Sequence, residues 1–177
     1  RLTVLLTDCS QLPPLFFPKI ATFDSVIRKG SVMKALTIPP YLKEGDRIAI
    51  VTPASHIEGK LVLHAEQLLR ASGFDVVPGE HVFSVDGPFA GSDDERLHDL
   101  QQATDDPLVK AVLCSRGGYG ISRIVDRVDY SALKKHPKWY VGYSDINSLH
   151  LWLNTVCGIA SLHAEMAINY SNPEYSP

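Results

Sequence analysis

The 177 residues are 45% hydrophobic and 21% charged, a balance that buries a sizeable core within the usual size of one domain. Seventeen basic against twenty acidic residues leave a formal net charge of -3, without the basic excess that draws a protein to a phosphate backbone, so nucleic acid is not an expected partner. No apolar stretch approaches the roughly 20 residues that span a bilayer, and Cys9, Cys114 and Cys157 lie too far apart for a C-x-x-C metal or redox pair, which points to a reducing compartment.

The first residues stand apart from the rest. Arg1 to Cys9 joins a basic residue to a short apolar run, the outline of a truncated signal peptide. Asp8, however, occupies the place of the small residue that precedes a lipidated cysteine, and Pro13, Pro14 and Pro18 break any continuous helix. Met33 opens a stretch that leads directly into the first strong strand, as a start codon would. Residues 1–32 are therefore expected to be an upstream extension or an artefact, without function, and no membrane association is expected.

From residue 47 the chain alternates between two periodicities. Arg47 to Pro53 is a β-branched apolar run closed by a proline, a buried strand. Gly59 to Ser72 places Leu61, Leu68 and Leu69 at mainly helical spacing, and Gly73 supplies the stop. Phe74 to Val77 reads as a second strand and Gly79 to Gly91 as an exposed loop. Ser92-Asp-Asp-Glu95 matches a capping box, so a helix is expected from there to about Thr104.

Lys110 to Ser115 is apolar on both faces, as a central parallel strand must be, and runs into Arg116-Gly-Gly-Tyr-Gly120. Short helical stretches are expected near Ile121–Val125 and Ser131–Lys135. A fourth strand at Trp139–Tyr143, a helix from about Asp145 to Thr155 ended by Gly158, and a fifth strand at Ile159–Leu162 follow. Residues 169–177 read as loop. This strand and helix alternation predicts a doubly wound α/β domain, Rossmann or flavodoxin-like, with a mostly parallel sheet and ligands bound beyond the carboxyl ends of its strands.

Two turns fall on that edge. In Gly142-Tyr-Ser-Asp145 a serine sits at a sharp junction between strand and helix, where a nucleophile elbow lifts a hydroxyl into a cleft. A serine attacks only when a base takes its proton and fixed donors meet the oxyanion. The N–H of Asp145, at the start of a helix, is one such donor, and Gly117 or Gly118 offers a second. The second glycine of G-x-S-x-G is missing, and the same position suits an ordinary N-cap serine.

Arg116 fits a two-pronged clamp for a substrate carboxylate and equally a surface ion pair. The glycine turn matches neither nucleotide fingerprint. His163 and Glu165 are the nearest local candidates for partners of Ser144, with nothing in the spacing to bring them there. His150 is turned away along the helix, and Cys114 suits packing better than attack.

Taken in order, Val-Thr-Pro-Ala-Ser55, Leu-Cys-Ser-Arg-Gly-Gly-Tyr-Gly120, Val-Gly-Tyr-Ser-Asp-Ile146 and Leu-His-Ala-Glu-Met166 resemble the LD-carboxypeptidase family of serine peptidases. That family includes murein tetrapeptide carboxypeptidases and microcin C immunity peptidases. The resemblance spans residues from about 37 to 177. It implies the N-terminal domain of a two-domain cytoplasmic enzyme that removes a terminal D-alanine from muropeptides in peptidoglycan recycling, with no metal, no cofactor and a homodimer as the full form. It also implies a Ser–His–Glu triad with Ser144 as nucleophile, an oxyanion hole from Asp145 and Gly118, and substrate contacts from Arg116, Gly117 and Tyr119.

In that family the Glu and the His belong to a C-terminal domain that begins after the segment where this chain stops. The resemblance therefore implies a nucleophile-bearing domain at 37–168, the start of a linker at 169–177, and a chain that is inactive alone. Leu-His-Ala-Glu-Met departs from the His-Gly-Pro-Met common in the family, which bears on the substrate class. Two alternatives stand beside it: the immunity branch, acting on a peptidyl-nucleotide amide, and a non-enzymatic module in which the glycine turn holds a small anion and Ser144 is a cap.

Overall fold

Alternating apolar residues become strands because a strand turns successive side chains to opposite faces, and five such runs here pair into one sheet. The computed structural model describes residues 35–172. The expected extension at 1–32 and the end of the expected linker, 173–177, lie outside the described residues.

The elements are β1 (Arg47–Val51), α1 (Gly59–Ala71), β2 (Asp75–Pro78), α2 (Asp93–Asp105), β3 (Val109–Cys114), β4 (Trp139–Gly142), α3 (Asn147–Trp152) and β5 (Leu162–His163). The sheet order is β2-β1-β3-β4-β5 and every pairing is parallel. This is the flavodoxin-like order, in which the chain reverses direction at β1 and β3 and opens a crevice at their carboxyl ends.

Each strand divides its side chains between two cores. Ala49 and Val51, Val112 and Cys114, and Tyr140 face Leu100 and Ala103 of α2 and Leu149 of α3. Ile48 and Ile50, Ala111 and Leu113 face the other way, onto Val62 and Ala65 of α1. Helices on both faces of a parallel sheet make the domain doubly wound, and burial on both faces accounts for the near-continuous apolar runs of β1 and β3.

The helices begin and end for local reasons. Ser92 Oγ accepts from the amide of Glu95 at 3.2 Å, and the amide of Ser92 donates to Glu95 Oε2 at 2.7 Å, the reciprocal capping box expected from the sequence. At the other end of α2, Lys138 is fully buried. Its ammonium donates to the carbonyls of Ala103, Thr104 and Asp106 at 2.8–3.0 Å, closing the end of a helix that lacks a glycine cap.

Two expected elements differ in detail. The helix over 145–155 is a 3₁₀ turn at Ser144–Ile146, then α3, then a π turn at Leu153–Cys157. Thr155 Oγ1 donates back to the Leu151 carbonyl at 2.7 Å, the kind of local bond that competes with a regular ladder. The fifth strand lies at Leu162–His163, later than the expected 159–162. Ile159 is buried in the core and only bridges Thr37, so the chain reaches the edge of β4 where Leu162 pairs with Val141. Among the described residues no helix is long and apolar enough to cross a membrane.

Candidate active site

Because all five strands run the same way, the turns that follow β1, β3 and β4 meet at one edge. The turn after β4 contains Ser144, whose φ of 63° is the only positive value of a non-glycine residue among the described residues. A left-handed residue with a β-carbon costs about 1–3 kcal/mol, and such strain persists only where its surroundings enforce it. Here Gly142 makes the turn possible, since a β-carbon there would lie 2.9 Å from Ile146 Cγ2. The Gly142 carbonyl is held by the amide of Ala164 at 3.2 Å and by His150 Nε2 at 2.9 Å.

The turn after β3 closes over the serine. A β-carbon on Gly117 would stand 3.0 Å from Ser144 Cβ, 3.1 Å from its Oγ and 3.2 Å from the amide nitrogen of Asp145, so only a glycine lets these two backbones approach. Gly118, at φ +105°, packs instead on Ser55 from the turn after β1. The amide of Ser55 donates to the Gly117 carbonyl and Ser55 Oγ accepts from the amide of Tyr119, both at 3.3 Å. The three turns thus form one hydrogen-bonded unit at the β1/β3 crevice.

Asp145 adds a fourth tie. Its Oδ2 accepts from the amide of Ile121 at 3.0 Å, so its carboxylate joins the serine turn to the end of the glycine turn while its own N–H stands at the start of the 3₁₀ turn. Arg116 is half-buried and donates through Nη1 to the His56 carbonyl at 3.0 Å, which anchors the turn. Tyr119 is exposed, its ring 6.1 Å from that of Phe89.

Sequence reasoning gave no role to Arg96, which sits at the centre of the scaffold. Only 1% exposed, it donates through Nη1 to the carbonyls of Pro53 and Gly120 at 3.0 Å each, and it is paired with Asp93. Asp93 is in turn gripped by Arg123, whose hydrogen bonds hold the carboxyl below its ordinary range. Burial pulls the guanidinium below the usual arginine value and Asp93 opposes that shift. The available signal was helical spacing: Arg96, Leu100 and Ala103 share one face of α2, so a cation lies on an apolar stripe.

The candidate bases are arranged otherwise. His150 is buried, with Nδ1 2.9 Å from Ser161 Oγ, and burial keeps its ring below the ordinary histidine value, so it is a neutral strut behind the serine turn. His163 and Glu165 are exposed at the end of β5, and the His163 ring lies 6.0 Å from that of Tyr143. Among the described residues no imidazole or carboxylate hydrogen-bonds Ser144 Oγ. Cys114 is completely buried and its thiol is pushed up to about 12 by that burial, far from a nucleophile's range. A surface groove lined by Thr37, Tyr130, Trp152 and Val156 does not include Ser144.

Comparison with known proteins places this arrangement. A probable murein peptide carboxypeptidase of Bacillus subtilis is 40% identical over 128 residues, covering 72% of this chain and 40% of the relative. The crystal structure of an MccF-like protein from Bacillus anthracis superposes with a TM-score of 0.68 at 30% identity, over 74% of this chain and 41% of the other. A muramoyltetrapeptide carboxypeptidase from Oxalobacter formigenes gives 0.62 at 30% identity, over 68% and 40%. This chain therefore spans less than half the length of these relatives. Residues 48–164 match the LD-carboxypeptidase N-terminal domain, and the chain belongs to the LD-carboxypeptidase family.

Proposed function

We propose that the protein is a serine LD-carboxypeptidase acting on muropeptides, and that Ser144 is its nucleophile. The observation that carries this is the left-handed Ser144 itself: an exposed hydroxyl, at a strained strand-to-helix turn, with Gly117 packed against it. A left-handed, exposed serine between a strand and a helix is the backbone arrangement of a nucleophile elbow. The murein and muramoyltetrapeptide carboxypeptidases among its relatives support the substrate class.

In the proposed reaction Ser144 Oγ adds to the carbonyl carbon of the bond between an L-centre and a terminal D-alanine. The oxyanion accepts from the N–H groups of Asp145 and Gly118, a pairing supported by the close approach of the neighbouring Gly117 to the Asp145 amide. The base takes the serine proton and passes it to the leaving nitrogen, so the collapsing intermediate expels D-alanine with a free amine and leaves an acyl-serine that water then hydrolyses. Arg116 and Tyr119 flank the route by which a peptide enters, with Arg116 held in place by its bond to His56.

The base and its carboxylate partner are assigned to residues outside the described ones, in a C-terminal domain of the full protein, with turnover in the cytoplasm and a homodimer as the working form. In full-length protein, Ser144→Ala should lower D-alanine release from a murein tetrapeptide by about 10⁴-fold or more, with the fold retained. Ordinary turnover in that variant would end the proposal. A second reading, favoured by the likeness to the MccF-like protein, has the same serine cleave the peptidyl-nucleotide amide expected of the immunity branch. Parallel assays on both substrates separate the two.

A further inference from the structure

A second cluster of chemically capable side chains lies on the same sheet edge but away from the serine. Glu80 and His81 follow β2, and His98 projects from α2; each offers one ligand atom, all within 4.8 Å of one another. His98 Nε2 stands 3.5 Å from Glu80 Oε2, close to the roughly 3.3 Å that separates two ligands of a tetrahedral zinc with bonds near 2.0 Å. The two imidazoles meet edge to face at 5.3 Å.

The arrangement is supported from behind. Asp99 is only 4% exposed and lies 3.0 Å from His81 Nδ1, while its other oxygen accepts from the amide of His81 at 2.9 Å. A carboxylate has no proton to give, so Nδ1 carries the hydrogen and, in the neutral ring, the lone pair sits on Nε2. A buried carboxylate that orients a histidine in this way is the usual support of a metal-ligating imidazole. Gly79 makes room for it, since a β-carbon there would sit 2.4 Å from Asp99 Oδ2.

We propose that Glu80, His81 and His98 bind a divalent zinc-type ion, with Asp99 orienting His81. Two imidazoles and one carboxylate suit zinc and its late first-row neighbours over magnesium or calcium, which prefer oxygen alone. The fourth position stays open to water. The site is separated from the serine turn by three strand spacings, about 14 Å, so it takes no part in the proposed serine chemistry. Its effect is to pin the loop after β2 to α2, and that loop continues to Phe89, which bridges Ser55 beside the glycine turn.

The test is calorimetric titration of the chain with zinc chloride, repeated on His98→Ala. His98 is 45% exposed, so the variant keeps its core, and its melting without metal checks this. The proposal expects one zinc per chain, a rise in Tm on binding, and at least about tenfold weaker binding in His98→Ala. Absence of saturable zinc binding, or equal affinity in the parent and His98→Ala, would overturn it.

Discussion

The two ends of α2 are each held by a buried cation, and they are built on opposite logic. At the carboxyl edge of the sheet Arg96 collects carbonyls from turns distant in sequence, Pro53 and Gly120, and shares its charge with Asp93. At the amino edge Lys138 collects three carbonyls from one helix end and its following residue, with no carboxylate among the described residues bonded to it. The first positions a site, because a planar fork with five donors can fasten several loops in fixed directions. The second finishes a helix, because a compact ammonium at a helix C-terminus satisfies orphan carbonyls and little else. Buried charge alone therefore does not mark function; the separation in sequence of what it joins does.

That contrast is open to measurement. Arg96→Met should have the largest effect, about 3 kcal/mol of stability, since the turn carbonyls of Pro53 and Gly120 lose their donor while Asp93 keeps Arg123. It should also lower turnover of full-length protein by more than the stability loss explains when assayed well below Tm. Equal damage to stability but none to turnover would erase the distinction between the two ends.

Lys138→Met should cost less, about 2 kcal/mol, as the end of α2 is left short of donors. Its pH dependence is the sharper test. Burial pushes the Lys138 ammonium down to about 8, whereas an unfolded lysine keeps its proton to about 10.4. Between those values the unfolded chain binds the extra proton, so raising the pH favours the fold at this residue. Cys114, pushed up to about 12, works the other way: its contribution is complete below the ordinary thiol value and is lost as the pH climbs toward 12. It is common to parent and variant and cancels between them. The deficit of Lys138→Met in urea midpoints should therefore widen from pH 7 to pH 9.5, and a constant deficit would refute this account.

The smallest effect belongs to the exposed periphery. Arg127 pairs with Asp94, an 84% exposed carboxylate, and Arg127→Ala should change stability by less than about 0.5 kcal/mol. A larger loss would extend the carboxyl-edge network outward from Arg96.

Local pattern in the sequence accounts for much of this fold. The β-branched runs of β1 and β3, the Ser92 and Glu95 box and the stop at Gly73 each act over a few residues, so each is legible without the rest of the chain. The 3₁₀ start and π end of the helix after Ser144 escaped such reading because they depend on a strained turn and on Thr155 bonding backward. The late start of β5 escaped it because Ile159 is apolar and β-branched, like a strand residue, yet is spent on the core.

The same division holds at the site. Ser144, Asp145 and the glycines stand out because they interrupt regular elements at the carboxyl ends of strands. Arg96 and Ser55 do not, because their role is to touch segments far away in sequence. By itself the sequence determined the order of strands and helices, the family and the serine to examine, since these rest on periodicity and on contiguous motifs. Only the tertiary structure decided that Gly117 covers the serine while Gly118 rests on Ser55, that Ser144 is left-handed, and that a buried arginine fastens the turns together, since each is a contact or a backbone angle set by the packing of separate strands.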